Sequence, residues 1–600
     1  MALTHTAFME EETSRGIAPR LARRFFAFVW RYKALLLAGV VLLVLYRATS
    51  LVTPQVMRRA VDGFMARTDL PMAERFAGIH GLTLMLVGVL LAKVLTFYLQ
   101  TYVTLLLGQR VMHDLRMRVF EHMQSLSLAY FSRNPVGRLM TRVTSDISAL
   151  NEMLTSGVVA VVGDVVTLVG AIGVMAWLDW RLTLVALVVV PPMLWGTRTF
   201  RRVTRQVYRV SRAKIARVNA YLSENLAGMK VVQLFRREAE NRRRLEEYGR
   251  DLRETHLQGH FYAAIFFPFV NIMQAAAVSL VVWYGGGRVV QQHMSLGTLI
   301  AFNSYVSMFF EPLRELAEKY NILQNAMAAA EKVFQVLDEV PTVEDPPAPR
   351  PLPDVKGEVE FRGVSFAYEG ENWVLKNIGF SVRPGEMVAL VGATGSGKTS
   401  IVNLLCRFWD AQKGQVLVDG VDVREVAQRD LRRRIAIVLQ DVFLFTGTVA
   451  ENIALGDSAV SRERVEEASR AVHADGFVRG LPGGYDARVS ERGSTFSAGQ
   501  RQLLAFARAL AADPRILVLD EATSNIDSET EHLIQDALER LLTGRTSVVI
   551  AHRLSTIRRA DRILVLRHGE IVESGTHEEL LARKGIYANL YELQYQDAEA

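Results

Sequence analysis

The sequence predicts two unlike halves: a membrane α-helical bundle, then an α/β domain with a mainly parallel sheet. Two observations carry this. Apolar runs of membrane-spanning length fill the first half, and a span needs about 20 mostly apolar residues. In the second half, short apolar strands alternate with helical stretches, the pattern of a parallel sheet covered by helices. Six hundred residues also exceed what one domain holds, so at least two are expected.

The boundaries read as 1–33 for an N-terminal cytosolic, interfacial elbow and 34–335 for the membrane helices. A linker follows at 336–357, then the α/β domain at 358–600. Arg15 to Tyr32 mixes Arg with Phe and Trp, which suits a helix lying in the interface. The start of the chain is polar and acidic and lacks the basic-then-apolar order of a cleavable signal.

Six spans are read: Ala34–Val56, Gly81–Leu107, Val158–Leu178, Leu182–Gly196, Phe261–Tyr284 and Leu296–Leu313. The fourth is short, and Pro191-Pro192 predict a kink there. Long polar connections, Gly108 to Glu152 and Thr197 to His260, separate spans two from three and four from five. The second is dense in Arg. Positive-inside bias places both in the cytoplasm, together with both termini. Arg58 and Arg59 then fall on the outer side, against that trend. Spans two to five are expected to continue as helices beyond the bilayer, with solvated charged faces. The net charge of +7 and pI of 9.4 follow from basic residues beside the spans, so no nucleic-acid partner is expected.

Arg47, Lys93 and Asp164 lie well inside apolar runs, where a charge is costly unless paired or facing water. Two readings stay open: pairing between helices, for example Asp164 with Arg47, or a polar patch in a water-filled cavity. The linker stretch Pro341 to Pro353 holds six prolines and can form neither helix nor central strand. The single cysteine, Cys406, excludes an internal disulfide framework and reads as a buried structural thiol.

Strands are expected at Glu358–Phe366, Met387–Val391, Ile435–Leu439, Ile516–Asp520, Ser547–Ala551 and Arg562–Leu566. Gly392-Ala393-Thr394-Gly395-Ser396-Gly397-Lys398-Thr399 matches G-x-x-x-x-G-K-[ST] in full. A strand feeds it, and the helical run Ser400 to Phe408 leaves it, as this phosphate-cradling motif requires. Glycines let backbone N–H groups close around phosphate oxygens, and the helix N-terminus favours the same anion. Lys398 can reach the β- and γ-phosphates, and the Thr399 hydroxyl can hold Mg²⁺. Gly392, Thr394, Gly395, Ser396, Gly397, Lys398, Thr399 and Ser400 are the candidate contacts to ATP.

Further features follow the same logic. Tyr368 is an aromatic upstream of the loop that can stack on a purine, although a lone aromatic is more often core. Gln440 follows a strand end, where its side chain can reach Mg²⁺ and water. Phe496-Ser497-Ala498-Gly499-Gln500 opens a helix, Arg501 to Ala511, whose N-terminus can bind phosphate. Ile516 to Glu521 is a buried strand ending in two carboxylates: Asp520 suits Mg²⁺, and Glu521 suits polarising an attacking water. His552 follows the strand Ser547–Ala551 and can contact a γ-phosphate.

Taken together and in this order, these residues resemble the ATP-binding cassette (ABC) transporters. Tyr368 matches the family's adenine-stacking aromatic, Gln440 its Q-loop and His552 its switch histidine. Phe496–Gln500, with Ser497, Gly499 and Gln500 kept, matches the signature motif Leu-Ser-Gly-Gly-Gln; Ser524-Asn525-Ile526-Asp527 matches the D-loop. Ser490-Glu491-Arg492-Gly493 resembles a short exporter element. The resemblance implies a P-loop NTPase (ABC) domain that binds ATP and Mg²⁺, with Glu521, His552 and Gln440 catalytic, Asp527 among the nucleotide contacts, and Thr399, Gln440 and Asp520 at the metal. It implies a half-transporter of the exporter type, working as a dimer in the bacterial cytoplasmic (inner) membrane. Its ATPase domain would be cytosolic. Ser132 to Asp146 and Tyr221 to Phe235 occupy the positions of the family's coupling helices. The cargo class is amphiphilic: drugs, lipids or peptides. Other classes that fit are an ATP-gated channel or regulatory subunit and an importer on the exporter fold. The signature's third residue is Ala498 where the family has Gly, while the catalytic positions are intact. The pattern is similar to the catalytic-glutamate subunit of heterodimeric bacterial multidrug exporters and implies a heterodimer whose other half-transporter lacks the glutamate; the other reading is a homodimer that tolerates the alanine.

Overall fold

The computed structural model describes residues 19–352, 355–457, 459–520, 528–551 and 553–595; for residues 19, 314, 316–318, 320, 528–529, 555 and 593–595 it describes the backbone alone. Glu521, Asp527 with the rest of the D-loop, and His552 lie outside the described residues. The chain forms two bodies, Met1–Gln124 with Val136–Glu339, and Ser125–Pro135 with Val340–Ala600.

The first body is entirely helical among the described residues. Five helical stretches are long and apolar enough to cross a membrane: Lys33–Met65, Met72–Ser125, Val136–Leu178, Trp180–Ala227 and Glu238–Val290. They contain the first five expected spans. The sixth begins the helix Leu296–Asp338. At 1.5 Å rise, the 54-residue helix Met72–Ser125 is about 80 Å long, against a hydrocarbon core of about 30 Å. The expected continuation beyond the bilayer is therefore present. Pro191 and Pro192 do not kink a continuous helix. The helix Trp180–Leu187 stops, and Val190–Ala227 restarts with the prolines in its first turn, where a missing N–H leaves no bond unmade.

The two aspartates Asp164 and Asp179 in this body are paired side chain to side chain. Asp164 contacts Arg47 at 3.7 Å and also bonds the Lys319 ammonium, which bonds Glu315 at 2.6 Å. The pairing reading of Arg47 and Asp164 thus describes this structure, and Lys319 adds a member the sequence did not suggest. Gly163 makes room for it: a Cβ there would lie 3.0 Å from the Arg47 guanidinium. Lys93 stands apart, 5.9 Å from the Tyr46 ring centroid. Asp179 caps the helix Trp180–Leu187 and pairs with Arg288, tying the turn after span three to the end of span five.

The second body holds two main sheets. β1 (Val359–Ala367), β2 (Trp373–Val382), β4 (Lys413–Val418) and β5 (Val421–Asp422) form an antiparallel sheet of order β2-β1-β4-β5. β3 (Met387–Val391), β6 (Ile435–Val438), β9 (Ile516–Asp520), β10 (Thr546–Ile550), β11 (Arg562–Arg567) and β12 (Glu570–Gly575) form the second, of order β12-β11-β3-β10-β9-β6. Two-residue strands β7 (Gly447–Thr448) and β8 (Arg488–Val489) pair separately. β3, β6, β9, β10 and β11 run parallel, and apart from Asp520, Thr546, Ser547, Arg562 and Arg567 their residues are apolar. The Pro-rich segment makes neither helix nor strand where described, and it is anchored: Arg350 N–H bonds the Glu425 carbonyl, and Arg407 donates to the Glu344 carbonyl at 2.7 Å.

Candidate functional site

Parallel strands bring their C-terminal ends to one edge, where α/β sheets bind ligands. The register aligns them: Ile550 pairs with Leu390 and with Asp520, and Leu519 pairs with Val438. This single edge therefore carries the loop Gly392–Thr399 after β3, Asp520 at the end of β9, and Gln440 two residues past β6. In sequence, Gln440 lies about forty residues past the loop and Asp520 more than a hundred.

The loop's conformation depends on glycine at two positions. Gly397 has φ +107°, and it immediately precedes the helix Lys398–Leu405. At Gly392 a Cβ would stand 2.3 Å from the Leu566 carbonyl oxygen, so β11's end excludes any side chain. The helix begins at Lys398, two residues before the sequence suggested, and ends at Leu405 rather than Phe408. Its first-turn N–H groups thus belong to the loop itself.

Lys398 is 7% exposed. Its ammonium donates to the Gly392 carbonyl at 2.7 Å and the Ala393 carbonyl at 3.1 Å. Burial lowers its pKa, and the nearby Asp520 carboxylate opposes that shift. Asp520 and Lys398 are therefore electrostatic neighbours. The Ser396 hydroxyl is buried with no hydrogen-bond partner among the described residues, a polar atom that a phosphate oxygen would satisfy. Thr394, Gly395 and Thr399 are exposed, and Ser400 is buried. The candidate metal donors at this edge are the Thr399 hydroxyl, the Asp520 carboxylate and the Gln440 amide. All offer oxygen, the donor that Mg²⁺ takes, so the residues fit that ion.

Tyr368 is held beside this helix. Its hydroxyl lies 3.0 Å from Ser400 Oγ, and Asn403 Nδ2 donates to it at 3.1 Å. Its ring meets Phe366 and Trp409 edge-on, at 4.7 and 5.3 Å, and stays 38% exposed. A half-exposed ring fixed at its hydroxyl is a platform, not core. Trp409 and Asn403 are supporting residues the sequence reading missed. A second aromatic just past the phosphate-loop helix was the available signal.

Ser497 caps the helix Ala498–Ala511, which starts three residues earlier than expected. The cap is reciprocal: Ser497 Oγ accepts from Gln500 N at 3.1 Å, and Gln500 Oε1 accepts from Ser497 N at 3.0 Å. Gly499 is buried, and Ala498 is exposed. No described hydrogen bond joins Ser497–Gln500 to the loop Gly392–Thr399. Arg508, on the same helix, was also missed. It donates to the carbonyls of Asn452 (2.9 Å) and Phe443 (3.1 Å), fixing the segment after Gln440 to the signature helix.

The chain is similar to known proteins. Residues 36–313 match the family model for the ABC transporter transmembrane region, and residues 375–524 match that for the ABC transporter itself. The ABC transporter ATP-binding protein YknV of Bacillus subtilis (strain 168) is 42% identical over 492 residues, 82% of this chain and 82% of its own. The ATP-dependent lipid A-core flippase of Syntrophus aciditrophicus (strain SB) is 40% identical over 500 residues, 83% of each chain. Among solved structures, a bacterial Atm1-family ABC exporter with ATP bound has a TM-score of 0.78 at 29% identity, over 94% of this chain and 98% of that one. The chain belongs to the ABC transporter family and is an ATP-hydrolysing, multi-pass membrane half-transporter of the exporter type.

Proposed function

We propose that this chain is one half of a dimeric exporter that moves an amphiphilic substrate across the bacterial cytoplasmic membrane by alternating access, with its ATPase domain in the cytosol. The supporting observation is the fusion of long apolar helices to a phosphate loop whose buried lysine rests on loop carbonyls. Tyr368 would stack on adenine. The loop N–H groups and Lys398 would hold the β- and γ-phosphates, and Ser396 would gain its missing partner there. Mg²⁺ against Thr399, Asp520 and Gln440 would neutralise charge on the phosphates. Glu521 would orient and deprotonate the attacking water, with His552 at the γ-phosphate. Ser497, Gly499 and Gln500 would meet the nucleotide held by the other half, with Asp527 at that junction. ATP then joins two domains, and hydrolysis removes the contacts that favour closure.

The other half is proposed to be a different chain that lacks the catalytic glutamate, because Ala498 departs from the family's Gly while this chain's own site is complete. The test is uptake of candidate amphiphiles into inverted vesicles, with ATP, by wild type and Glu521→Gln. The variant should bind ATP yet hydrolyse it about a hundredfold more slowly, as for loss of a positioned base. Near-normal turnover by the variant would refute Glu521's role, and ATPase activity without uptake of any compound would refute export.

A further inference from the structure

One stripe of polar side chains in the spans takes no part in the pairing described above. On the helix Leu296–Asp338, Asn303, Ser307 and Glu311 follow one another at intervals of four, and all three are exposed. On the helix Glu238–Val290, Phe267, Asn271 and Gln274 form a matching stripe. Gln274 Nε2 donates to Ser307 Oγ at 3.4 Å and joins the two. The helices run antiparallel, since Gly285 faces Leu299 while Gln274 faces Ser307. At 1.5 Å per residue, Asn271 lies about 4.5 Å and Glu311 about 6 Å from that hydrogen bond, toward the same end. Asn271 and Glu311 therefore share a level, with the exposed Phe267 ring further along.

A carboxylate within an apolar span is costly if it faces lipid, so it faces water, a ligand or a protein. Asp164 and Glu315 have ammonium or guanidinium partners; among the described residues Glu311 has none. The backbone beside it is also short of donors. Pro312 follows Glu311 inside the helix and has no N–H to offer the Met308 carbonyl. The stripe thus presents a carboxylate with hydroxyl and amide oxygens, flanked by apolar surface. What complements it is a positive head with N–H donors on an apolar body.

We propose that Asn303, Ser307 and Glu311, with Asn271 and Gln274, form a recognition site for an amphiphilic organic ammonium ion. This rests on the export reading and names its substrate class. Glu311 would supply the counter-charge, and Phe267 an apolar and cation–π face.

The purified full transporter in nanodiscs would be assayed for ATPase stimulation by dodecylamine, dodecanol and dodecanoate, which share a chain and differ in head charge. Dodecylamine should act at the lowest concentration. Glu311→Gln should raise its half-maximal concentration about tenfold or more, as expected for losing a charged partner, while basal ATPase and the dodecanol response stay put. Glu311→Asp should keep most of the response. In a Cys406→Ser background, Glu311→Cys should regain the amine response after an anionic thiosulfonate reagent and not after a cationic one. Equal responses to the three heads would overturn the proposal. So would an amine curve unmoved by Glu311→Gln, rescue by the cationic reagent, or no amine response with normal basal ATPase. Failure of the export reading would show separately, as wild-type ATPase without vesicle uptake of any compound.

Discussion

The two bodies of this chain hold buried charge in different ways. In the α/β body the partner is mostly backbone. Lys398 rests on the carbonyls of Gly392 and Ala393. Arg407, only 2% exposed, donates to the Val426 and Glu344 carbonyls. Asp419 collects the N–H groups of Lys356, Gly357 and Glu358. In the helical body the partner is another ion: Asp164 with Arg47 and Lys319, Asp179 with Arg288. The cause is geometric. A helix interior uses its own N–H and C=O groups, so away from the helix ends, where Asp179 takes the Leu182 N–H, only side chains remain to answer a charge. Loops between strands leave carbonyls and N–H groups free. A charge resting on loop carbonyls can be handed to a ligand. A charge locked to another ion cannot leave without stranding its partner.

The largest expected effect tests the first half of that contrast. Lys398→Ala should lower nucleotide affinity by about ten- to a hundredfold, since it removes a charged donor to phosphate. The fold should survive, because the two carbonyls it leaves face a loop that water can enter. Titration with a fluorescent ATP analogue and a melting curve together read this. Unchanged affinity would remove Lys398 from the site, and a collapsed melting point would make it a structural ion like those in the helices.

The second prediction tests the other half. Asp164→Asn leaves Lys319 and Arg47 without their shared carboxylate. Breaking a buried pair from one side costs about 3–5 kcal/mol. The melting temperature in nanodiscs should fall clearly. Asp164→Leu combined with Lys319→Met should recover part of the loss, because the buried Lys319 ammonium is no longer stranded and the ions left without it, Arg47 and Glu315, are partly exposed. A double variant as unstable as the single one would mean that the pair acts through its shape and not through its charge.

The same contrast explains what the sequence could tell. β3 and β9 are legible because buried parallel strands are unbroken apolar runs. The phosphate loop is legible because backbone recognition leaves glycines at fixed spacing. β2, β4 and β12 were not anticipated. They belong to antiparallel pairs whose register slips, as between Phe361 and Val364, so period-two alternation is interrupted. Lys319 was missed because it lies six residues past the sixth apolar run, where a cation reads as a solvated extension. The partner that makes it buried is 155 residues away in sequence. Trp409 likewise joins Tyr368 only through the fold. Local chemistry shows in sequence, whereas pairs closed by tertiary packing do not.

A smaller effect concerns Cys406, the buried thiol behind the phosphate loop. Burial pushes its pKa up to about 12, with Arg432 opposing. Only the thiolate reacts, so at pH 8 about one molecule in ten thousand is competent. Alkylation should be negligible in the folded transporter and should appear in step with unfolding by urea. Rapid labelling of the native protein would show that the helix end opens locally. Raising the pH to 9 should speed labelling of the folded protein about tenfold if the buried thiol itself is the reactant.

The smallest expected change is the most informative about assembly. Ala498 is exposed at the first position of its helix, just after the Ser497 cap, and no described packing depends on its methyl group. Ala498→Gly should therefore cost less than the ~1 kcal/mol of a helix-interior glycine. Its effect on turnover separates two assemblies. If this chain pairs with a different half, Glu521 works against the other chain's signature, and Ala498 faces a site that mainly holds ATP. Steady-state hydrolysis should then change by less than about twofold. If two copies pair, every working site contains Ala498, and restoring glycine should raise turnover at both. The readout is turnover of the variant expressed alone and expressed with the second half-transporter. A gain in the chain expressed alone, with both sites equally active, would exclude the heterodimer; no gain alone, with full activity only on co-expression, is the result the heterodimer predicts.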